Sequence, residues 1–189
     1  MENPNLIIIS GGPGVGKTTV LDELARLGIA YAPEVARQII REQVASGGNA
    51  LPWGDREAYT MLMLARSIGY FLAHTPAPAR TFTDRGLPDT LAYARRIGLR
   101  NTREIEDACR RYRYAPMVFL APPWKEIYHT DGERKQSYAE AEATYLDVVE
   151  VYRDCGYEAI ELPKVSPPER AGFMLEKIHS GRGYDSTHH

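Results

Sequence analysis

The chain of 189 residues lacks the usual features of secreted, membrane-spanning and zinc-bound proteins. It has only two cysteines, Cys109 and Cys155, and they have no metal-ligand spacing, so we expect buried, reduced thiols. No apolar run approaches the roughly 18 residues of a membrane span. No signal peptide is visible, because the first apolar run is short and does not follow a basic region. We therefore expect a cytoplasmic protein that has no membrane partner.

An excess of charge is also lacking. The sequence has 23 Lys and Arg against 25 Asp and Glu, which gives a formal net charge of −2. This balance argues against a broadly basic surface, so we do not expect nucleic acid as a partner. Repeats and a domain linker are absent as well. We predict a single domain over residues 1–180 with a flexible tail over 181–189, and a homodimer stays an open alternative.

Strand-like and helix-like segments alternate along the chain. The first strand-like segment is rich in β-branched residues, as expected of a strand buried on both faces. This alternation predicts an α/β, three-layer fold, in which a parallel five-stranded sheet carries helices on both faces. Ligands of such sheets bind at the carboxyl ends of the strands. The predicted strands are NLIIIS (5–10), IAYAP (29–33), TFTD (81–84), MVFLA (117–121) and GYEAIEL (156–162).

The strongest chemical signal is GGPGVGKTT (11–19), which fits the P-loop (Walker A) pattern G-x-x-x-x-G-K-[ST] between a strand and a helix. Glycines let successive N–H groups face phosphate oxygens, and the helix N-terminus adds its positive dipole end. Lys17 would neutralise the β- and γ-phosphates, Thr18 would ligate Mg²⁺, and Thr19 is either a neighbour of the α-phosphate or a plain helix residue. We therefore predict that the three-layer fold is a P-loop NTPase fold and that ATP and Mg²⁺ are its cofactors. The predicted nucleotide-binding residues are Gly11, Gly12, Pro13, Gly14, Val15, Gly16, Lys17, Thr18 and Thr19.

Several P-loop classes are disfavoured by motifs that the chain lacks. It has no N/T-K-x-D guanine-reading motif and no signature of transporter ATPases. In FTDRG, Asp84 is followed by Arg85, where motor ATPases of the AAA+ class usually carry Asp-Glu. The chain size and the single P-loop favour a small-molecule or nucleotide kinase.

Four segments together carry a family resemblance: ISGGPGVGKTT, PEVAR, FTDRGLPDTLAY and DGERKQS. They resemble the AAA-type P-loop ATPase/kinase family that includes the nicotinamide-riboside kinase domain of bacterial NAD regulators. More distantly they resemble thymidylate and deoxynucleoside kinases. The resemblance spans about residues 5–180. The chain departs from nucleoside monophosphate kinases in lacking a D-G-F-P-R segment, and its charged loop has one arginine and a lysine instead of several spaced arginines.

Asp84 and Arg85 are the first candidate catalytic residues outside the P-loop. Asp84 ends a strand on the edge that should face the phosphates, so it could ligate Mg²⁺ or accept a proton from the attacking hydroxyl. Its alternative role is to cap the next helix, for which Asp89 is at least as well placed. Arg85 could contact the acceptor or the transferred phosphoryl group, or form a salt bridge that fixes the loop.

Glu34 and Arg134 are the other two candidates. The resemblance to deoxynucleoside kinases implies that Glu34 is the general base for a sugar hydroxyl. The alternative is a first-turn glutamate that interacts with the helix dipole and with Arg37. Arg134 would belong to a lid that excludes water and brings a cation to the phosphoryl group, or to a solvated loop.

The predicted function is transfer of the γ-phosphoryl group of Mg-ATP to a small acceptor such as a nucleoside, a nucleotide or a related metabolite. The alternative is a P-loop ATPase that serves as a nucleotide-dependent regulatory or binding module. A kinase of nucleic-acid ends is disfavoured by the net charge.

Overall fold

The structure is a computed structural model that describes residues 1–76, 79–127 and 137–180. It contains a five-stranded sheet in which every described pairing is parallel, with strand order β2-β3-β1-β4-β5. The predicted three-layer α/β fold is therefore confirmed. The strands are β1 Leu6–Gly11, β2 Ala30–Ala32, β3 Thr81–Asp84, β4 Met117–Ala121 and β5 Glu158–Glu161. The helices are α1 Lys17–Arg26, α2 Val35–Ser46, α3 Arg56–Ala73, α4 Leu87–Arg96, α5 Arg103–Arg111, α6 Tyr138–Asp154 and α7 Pro167–Ser180.

The central strand β1 is buried on both faces, because its side chains alternate between two hydrophobic clusters. Leu6 and Ile8 point into the cluster formed with α4, α5 and α6. Ile7 and Ile9 point into the cluster formed with α1 and α7. This alternation explains why the strand is uniformly apolar, since parallel sheets are covered by helices on both sides. A third, smaller cluster packs α2 against α3.

The strand register brings the ends of four strands to one edge of the sheet. Ile9 of β1 pairs with Asp84 of β3, and Gly11 of β1 pairs with Ala121 of β4. Strand β2 ends beside Thr83, two residues before Glu34. The P-loop, Asp84 and Glu34 therefore leave the sheet at the same edge.

Two local features outside this edge bear on the sequence predictions. Cys109 is buried and Cys155 is half-buried, and both are free thiols. No helix in the described ranges is both long enough and apolar enough to cross a membrane. Residues 128–136, which include Arg134, and residues 181–189 lie outside the described residues. The lid role of Arg134 and the flexible tail stay predictions.

Candidate functional site

The P-loop joins β1 to α1 with three glycines in backbone conformations that other residues rarely adopt. Gly11, Gly14 and Gly16 have φ values of 135°, 68° and 81°. A side chain at Gly11 is also excluded by space, since a Cβ there would lie 2.4 Å from the carbonyl oxygen of Ala121. Glycine is therefore required at Gly11 by both backbone geometry and packing.

Lys17 is buried and its ammonium group folds back over the loop. Its Nζ donates a hydrogen bond to the carbonyl oxygen of Gly12 at 2.7 Å and a longer one to that of Gly11 at 3.4 Å. Thr18 and Thr19 are exposed on the first turn of α1, where Thr19 Oγ1 donates to the Gly16 carbonyl oxygen at 2.8 Å. The Thr18 hydroxyl is thus on the solvent side of the loop, where a ligand could reach it.

Arg85 connects the P-loop to the two acidic residues that flank it. Its Nε donates to Glu34 Oε1 at 2.7 Å, and its Nη1 donates to the Gly11 carbonyl oxygen at 2.8 Å and to Asp89 Oδ1 at 3.1 Å. Burial alone lowers the pKa of Arg85, but the carboxylates of Glu34, Asp89 and Asp84 outweigh it, so the pKa lies above its ordinary value. The salt bridge with Glu34 joins residues that are 51 positions apart in the sequence.

The backbone of Arg85 is strained, because its φ is 77° and residues other than glycine rarely adopt a positive φ. The strained conformation is held from both sides: the Arg85 N–H donates to the Ile9 carbonyl oxygen at 2.9 Å, and Thr83 Oγ1 donates to the Arg85 carbonyl oxygen at 2.7 Å. Such strain persists only where the surroundings fix the conformation, and it occurs often at functional sites. Here it turns the guanidinium back across the sheet edge toward Glu34.

Asp84 is buried, with a relative exposure of 7 %, and its Oδ1 has no hydrogen-bond partner in the described part of the chain. Burial raises the pKa of the Asp84 carboxyl, the ammonium group of Lys17 lowers it, and the carboxylate of Glu34 raises it again; the net direction is upward. An unpartnered buried carboxylate oxygen is uncommon and calls for a missing ligand or proton.

The carboxylate of Asp89 is a site residue that the sequence analysis considered only as a helix cap. It accepts four hydrogen bonds: from Ser10 Oγ at 2.5 Å, from Tyr152 Oη at 2.5 Å, from the Gly86 N–H at 2.9 Å and from Arg85 at 3.1 Å. Burial, together with this carboxylate, raises the pKa of Tyr152 well above its usual value. Asp89 therefore caps α4 and also holds Arg85. The signal that could have revealed it is its four-residue spacing from Arg85 across the start of a helix.

A cavity of about 590 Å³ opens from these acidic residues. Pro13, Glu34, Asp84 and Arg85 line one end. Aromatic residues that the sequence analysis did not single out line the other, namely Trp53, Tyr59 and Tyr93.

The aromatic end has both apolar surface and an unused polar atom. Tyr59 and Tyr93 pack edge to face with ring centroids 5.5 Å apart, and Trp53 is 61 % exposed. The hydroxyl of Tyr93 is buried and has no hydrogen-bond partner within the described ranges. The cavity therefore combines aromatic surface with charged groups, since Arg56, Arg96 and Asp147 line it as well.

The donor atoms at the P-loop fit a magnesium ion bound together with phosphate. Asp84 supplies a carboxylate oxygen without a partner, and Thr18 supplies an exposed hydroxyl on the adjoining helix turn. Mg²⁺ is usually bound by one or two protein oxygens plus phosphates and water. No group of three or more His, Cys, Asp or Glu side chains that could hold a metal occurs among the described residues, so a metal bound by protein ligands alone is not indicated there.

Comparison with known proteins places this geometry in a family. A model of the AAA domain family matches residues 6–170. No curated protein matches the chain. Three of the solved structures that match the chain each have less than 25 % sequence identity to it, so they support the fold alone.

Two of these structures are kinases by name, and the third is the NadR protein in complex with NR. Shikimate kinase from Acinetobacter baumannii in complex with shikimate has a TM-score of 0.56 and 19 % identity, covering 95 % of each chain. The NadR protein in complex with NR has a TM-score of 0.70 and 18 % identity, covering 95 % of this chain and 52 % of that one. Thymidylate kinase from Candida albicans has a TM-score of 0.63 and 12 % identity, covering 95 % and 93 %. The predicted family is confirmed: the chain belongs to the AAA domain family and has the fold of P-loop kinases.

Proposed function

We propose that the protein is a phosphotransferase that moves the γ-phosphoryl group of Mg-ATP to a hydroxyl group of a small, ring-bearing acceptor. The observation that carries this proposal is a cavity that is lined both by the acidic neighbours of the P-loop and by aromatic residues. A nucleotide at the P-loop would leave that cavity as the place for a second substrate. A phosphate-binding loop that served hydrolysis alone would have no use for such a cavity.

The two acidic residues divide the chemistry between them. Asp84, with Thr18, holds the magnesium ion, because its buried carboxylate has an oxygen without a protein partner. The ion neutralises charge on the phosphates when bound. Glu34 accepts the proton of the acceptor hydroxyl, because it lines the cavity and its carboxylate is oriented by Arg85 at 2.7 Å. This division follows the resemblance to deoxynucleoside kinases for Glu34 and goes beyond it for Asp84.

Arg85 fixes the position of Glu34 relative to the P-loop. Its guanidinium bonds the P-loop carbonyl of Gly11 and the carboxylate of Glu34 at the same time. The base is therefore held at a set position relative to the nucleotide, and such positioning supplies a large part of the rate of phosphoryl transfer.

The acceptor carries a planar ring. Trp53, Tyr59 and Tyr93 offer aromatic surface at a distance from the acidic end, and the Tyr93 hydroxyl lacks a partner that a polar ring substituent would supply. A volume of about 590 Å³ suits a molecule of nucleoside size. A nucleoside, a nucleotide or a related metabolite fits these demands better than a ring-free polyol.

The test is a screen for ADP production that depends on the acceptor. Purified protein with Mg-ATP is offered nucleosides, nucleotides and ring-free sugars or polyols of similar size. We expect strong stimulation by a ring-bearing compound and little by the others. ADP release at the same rate with every compound and with none would favour a nucleotide-dependent switch instead.

Lys17→Ala is the control for the nucleotide site. This variant should lose the thermal stabilisation that ATP gives the wild-type protein, because Lys17 is the cation of the P-loop. Stabilisation that persists in Lys17→Ala would mean that nucleotide binds elsewhere.

A further inference from the structure

Arg170 is a buried cation that the chemistry described above does not use. It lies on α7 with a relative exposure of 1 %, which makes it the largest fully buried side chain of the described residues. No Asp or Glu lies within salt-bridge distance of it in the ranges that the structure describes. Burial lowers the pKa of Arg170. A buried arginine without a carboxylate partner lowers the folding stability unless its other contacts compensate for the lost hydration.

The contacts of Arg170 join three segments of the nucleotide side of the sheet. Its Nη1 donates to the carbonyl oxygen of Val15 in the P-loop at 2.9 Å, and its Nε donates to that of Pro163, after β5, at 2.8 Å. Its guanidinium lies 5.0 Å from the ring centroid of Trp124, after β4. Its Nη2 is buried and has no hydrogen-bond partner among the described residues. The P-loop bond spans 155 positions of sequence.

The bond to Val15 sets the direction of one N–H group in the P-loop. The carbonyl of Val15 and the N–H of Gly16 belong to one trans peptide group, so they point in opposite directions. Because Arg170 bonds the Val15 carbonyl oxygen on one side of the loop, the Gly16 N–H points to the opposite side. A curled loop binds phosphate through N–H groups that point to one side. Gly16, with φ of 81°, has a conformation that such a contact can keep in place.

We infer that Arg170 is a positioning residue that holds the P-loop in its phosphate-binding shape before the nucleotide arrives. Its positive charge, close to the loop, also attracts a phosphate anion bound on the opposite side of the loop. The contacts with Pro163 and Trp124 anchor the guanidinium to two other segments, so the loop shape depends on the packing of α7. The inference rests on the nucleotide-binding half of the proposed function and not on the identity of the acceptor.

The experiment compares ATP affinities of Arg170→Met and Arg113→Met by titration calorimetry. Arg113 is a matched control, because it also donates to a backbone carbonyl, that of Cys155 at 2.8 Å, and lies 4.2 Å from the ring centroid of Tyr157, away from the P-loop. Both variants lose an arginine that is hydrogen-bonded to backbone and stacked on a ring. We expect Arg170→Met to weaken ATP binding by about tenfold or more, the scale of a lost hydrogen bond from a charged group. Arg113→Met should stay within about twofold of the wild type.

Inorganic pyrophosphate is the second probe, because it reports on the phosphate cradle alone. It should lose affinity in Arg170→Met by a factor similar to that for ATP. Equal affinities in the wild type and Arg170→Met would overturn the inference. An equal loss in Arg170→Met and Arg113→Met would overturn it too, since that result would reflect general destabilisation.

Arg170→Lys covers the case in which Arg170→Met does not fold. A lysine keeps the charge but cannot bond Val15 and Pro163 while stacking on Trp124, so its ATP affinity should lie between those of the wild type and Arg170→Met. Wild-type affinity in Arg170→Lys would overturn the inference. Wild-type protein that does not bind ATP would overturn the proposed function and the inference with it. Weakened binding in Arg170→Met without any acceptor-dependent activity in the wild type would overturn phosphoryl transfer alone.

Discussion

Asp84→Asn should make the protein more stable while it reduces activity. The wild-type carboxylate is 7 % exposed, one of its oxygens has no partner in the described part of the chain, and burial raises its pKa. An amide of the same shape removes the desolvated charge. A buried polar group without a partner costs about 1–3 kcal/mol, and more when charged, so we expect a gain of that order. For a chain of this size each kcal/mol shifts the melting temperature by roughly 2–4 °C.

The pH dependence of this gain has a definite sign. Because the pKa of Asp84 is higher in the folded state, the folded protein binds more protons than the unfolded chain between the two pKa values. The stability of the wild type therefore falls as the pH rises from about 4, the ordinary value of an aspartate, through the folded pKa. The advantage of Asp84→Asn should be small in acid and largest at neutral pH.

Asp89→Asn is the matched control, since the side chain of Asp89 is 8 % exposed and the residue lies five positions away. Its two oxygens accept four hydrogen bonds, and an amide nitrogen in place of one oxygen would leave two donors without an acceptor. We expect a loss of about 2 kcal/mol or more. The assay is thermal and urea unfolding from pH 4 to 8 in EDTA without nucleotide. A less stable Asp84→Asn at neutral pH, or an advantage that shrinks as the pH rises, would refute the reasoning.

Three further predictions test the site. Glu34→Gln should reduce acceptor-dependent turnover by about a hundredfold or more at any Mg²⁺ concentration, whereas Asp84→Asn should recover part of its activity as the Mg²⁺ concentration rises. Steady-state rates with the reverse pattern would mean that Asp84 is the base and Glu34 the metal ligand. Trp53→Ala should raise the acceptor KM by about tenfold without changing the ATP affinity, and an unchanged KM would remove the ring from the proposed acceptor. Gly11→Ala should lower the free energy of unfolding by more than about 2 kcal/mol in urea titrations, whereas Gly69→Ala, where an added Cβ meets nothing within 4 Å, should be neutral or slightly stabilising. Similar effects of the two substitutions would contradict the close packing of the P-loop.

The sequence was sufficient for the fold and the P-loop because both are encoded locally. An apolar strand, a glycine-rich turn and a helix start follow one another within residues 5–19, and each pattern has a direct conformational cause. The ends of strands were less well determined. The predicted strand over 156–162 is shorter in the structure, Glu158–Glu161, and beyond it the N–H of Leu162 still donates to the carbonyl oxygen of Leu120 in β4.

The partners of the site residues could not be predicted, because they are separated by long stretches of sequence. Glu34 was weighed between a base and a partner of the helix dipole, and Arg85 between a substrate contact and a salt bridge. The structure shows that the two form a salt bridge with each other, across 51 positions, while both border the cavity. A single sequence contains no record of that pairing. The same holds for Arg170 and Val15, whose contact depends on how α7 packs behind the P-loop.

The charges around the P-loop explain why one carboxylate is left without a partner. Lys17 and Arg85 face the carboxylates of Glu34, Asp84 and Asp89, and the Nε of Arg37 lies 3.8 Å from Glu34 Oε2. Arg85 bonds to Glu34 and Asp89, and Lys17 bonds to the carbonyl oxygens of the loop. Asp84 is the carboxylate that remains without a hydrogen-bonded cation, and burial raises its pKa. A divalent ion that arrives with the nucleotide would supply that cation. The site is therefore arranged to gain its last positive charge from a substrate-bound metal, which supports the proposed use of Mg-ATP.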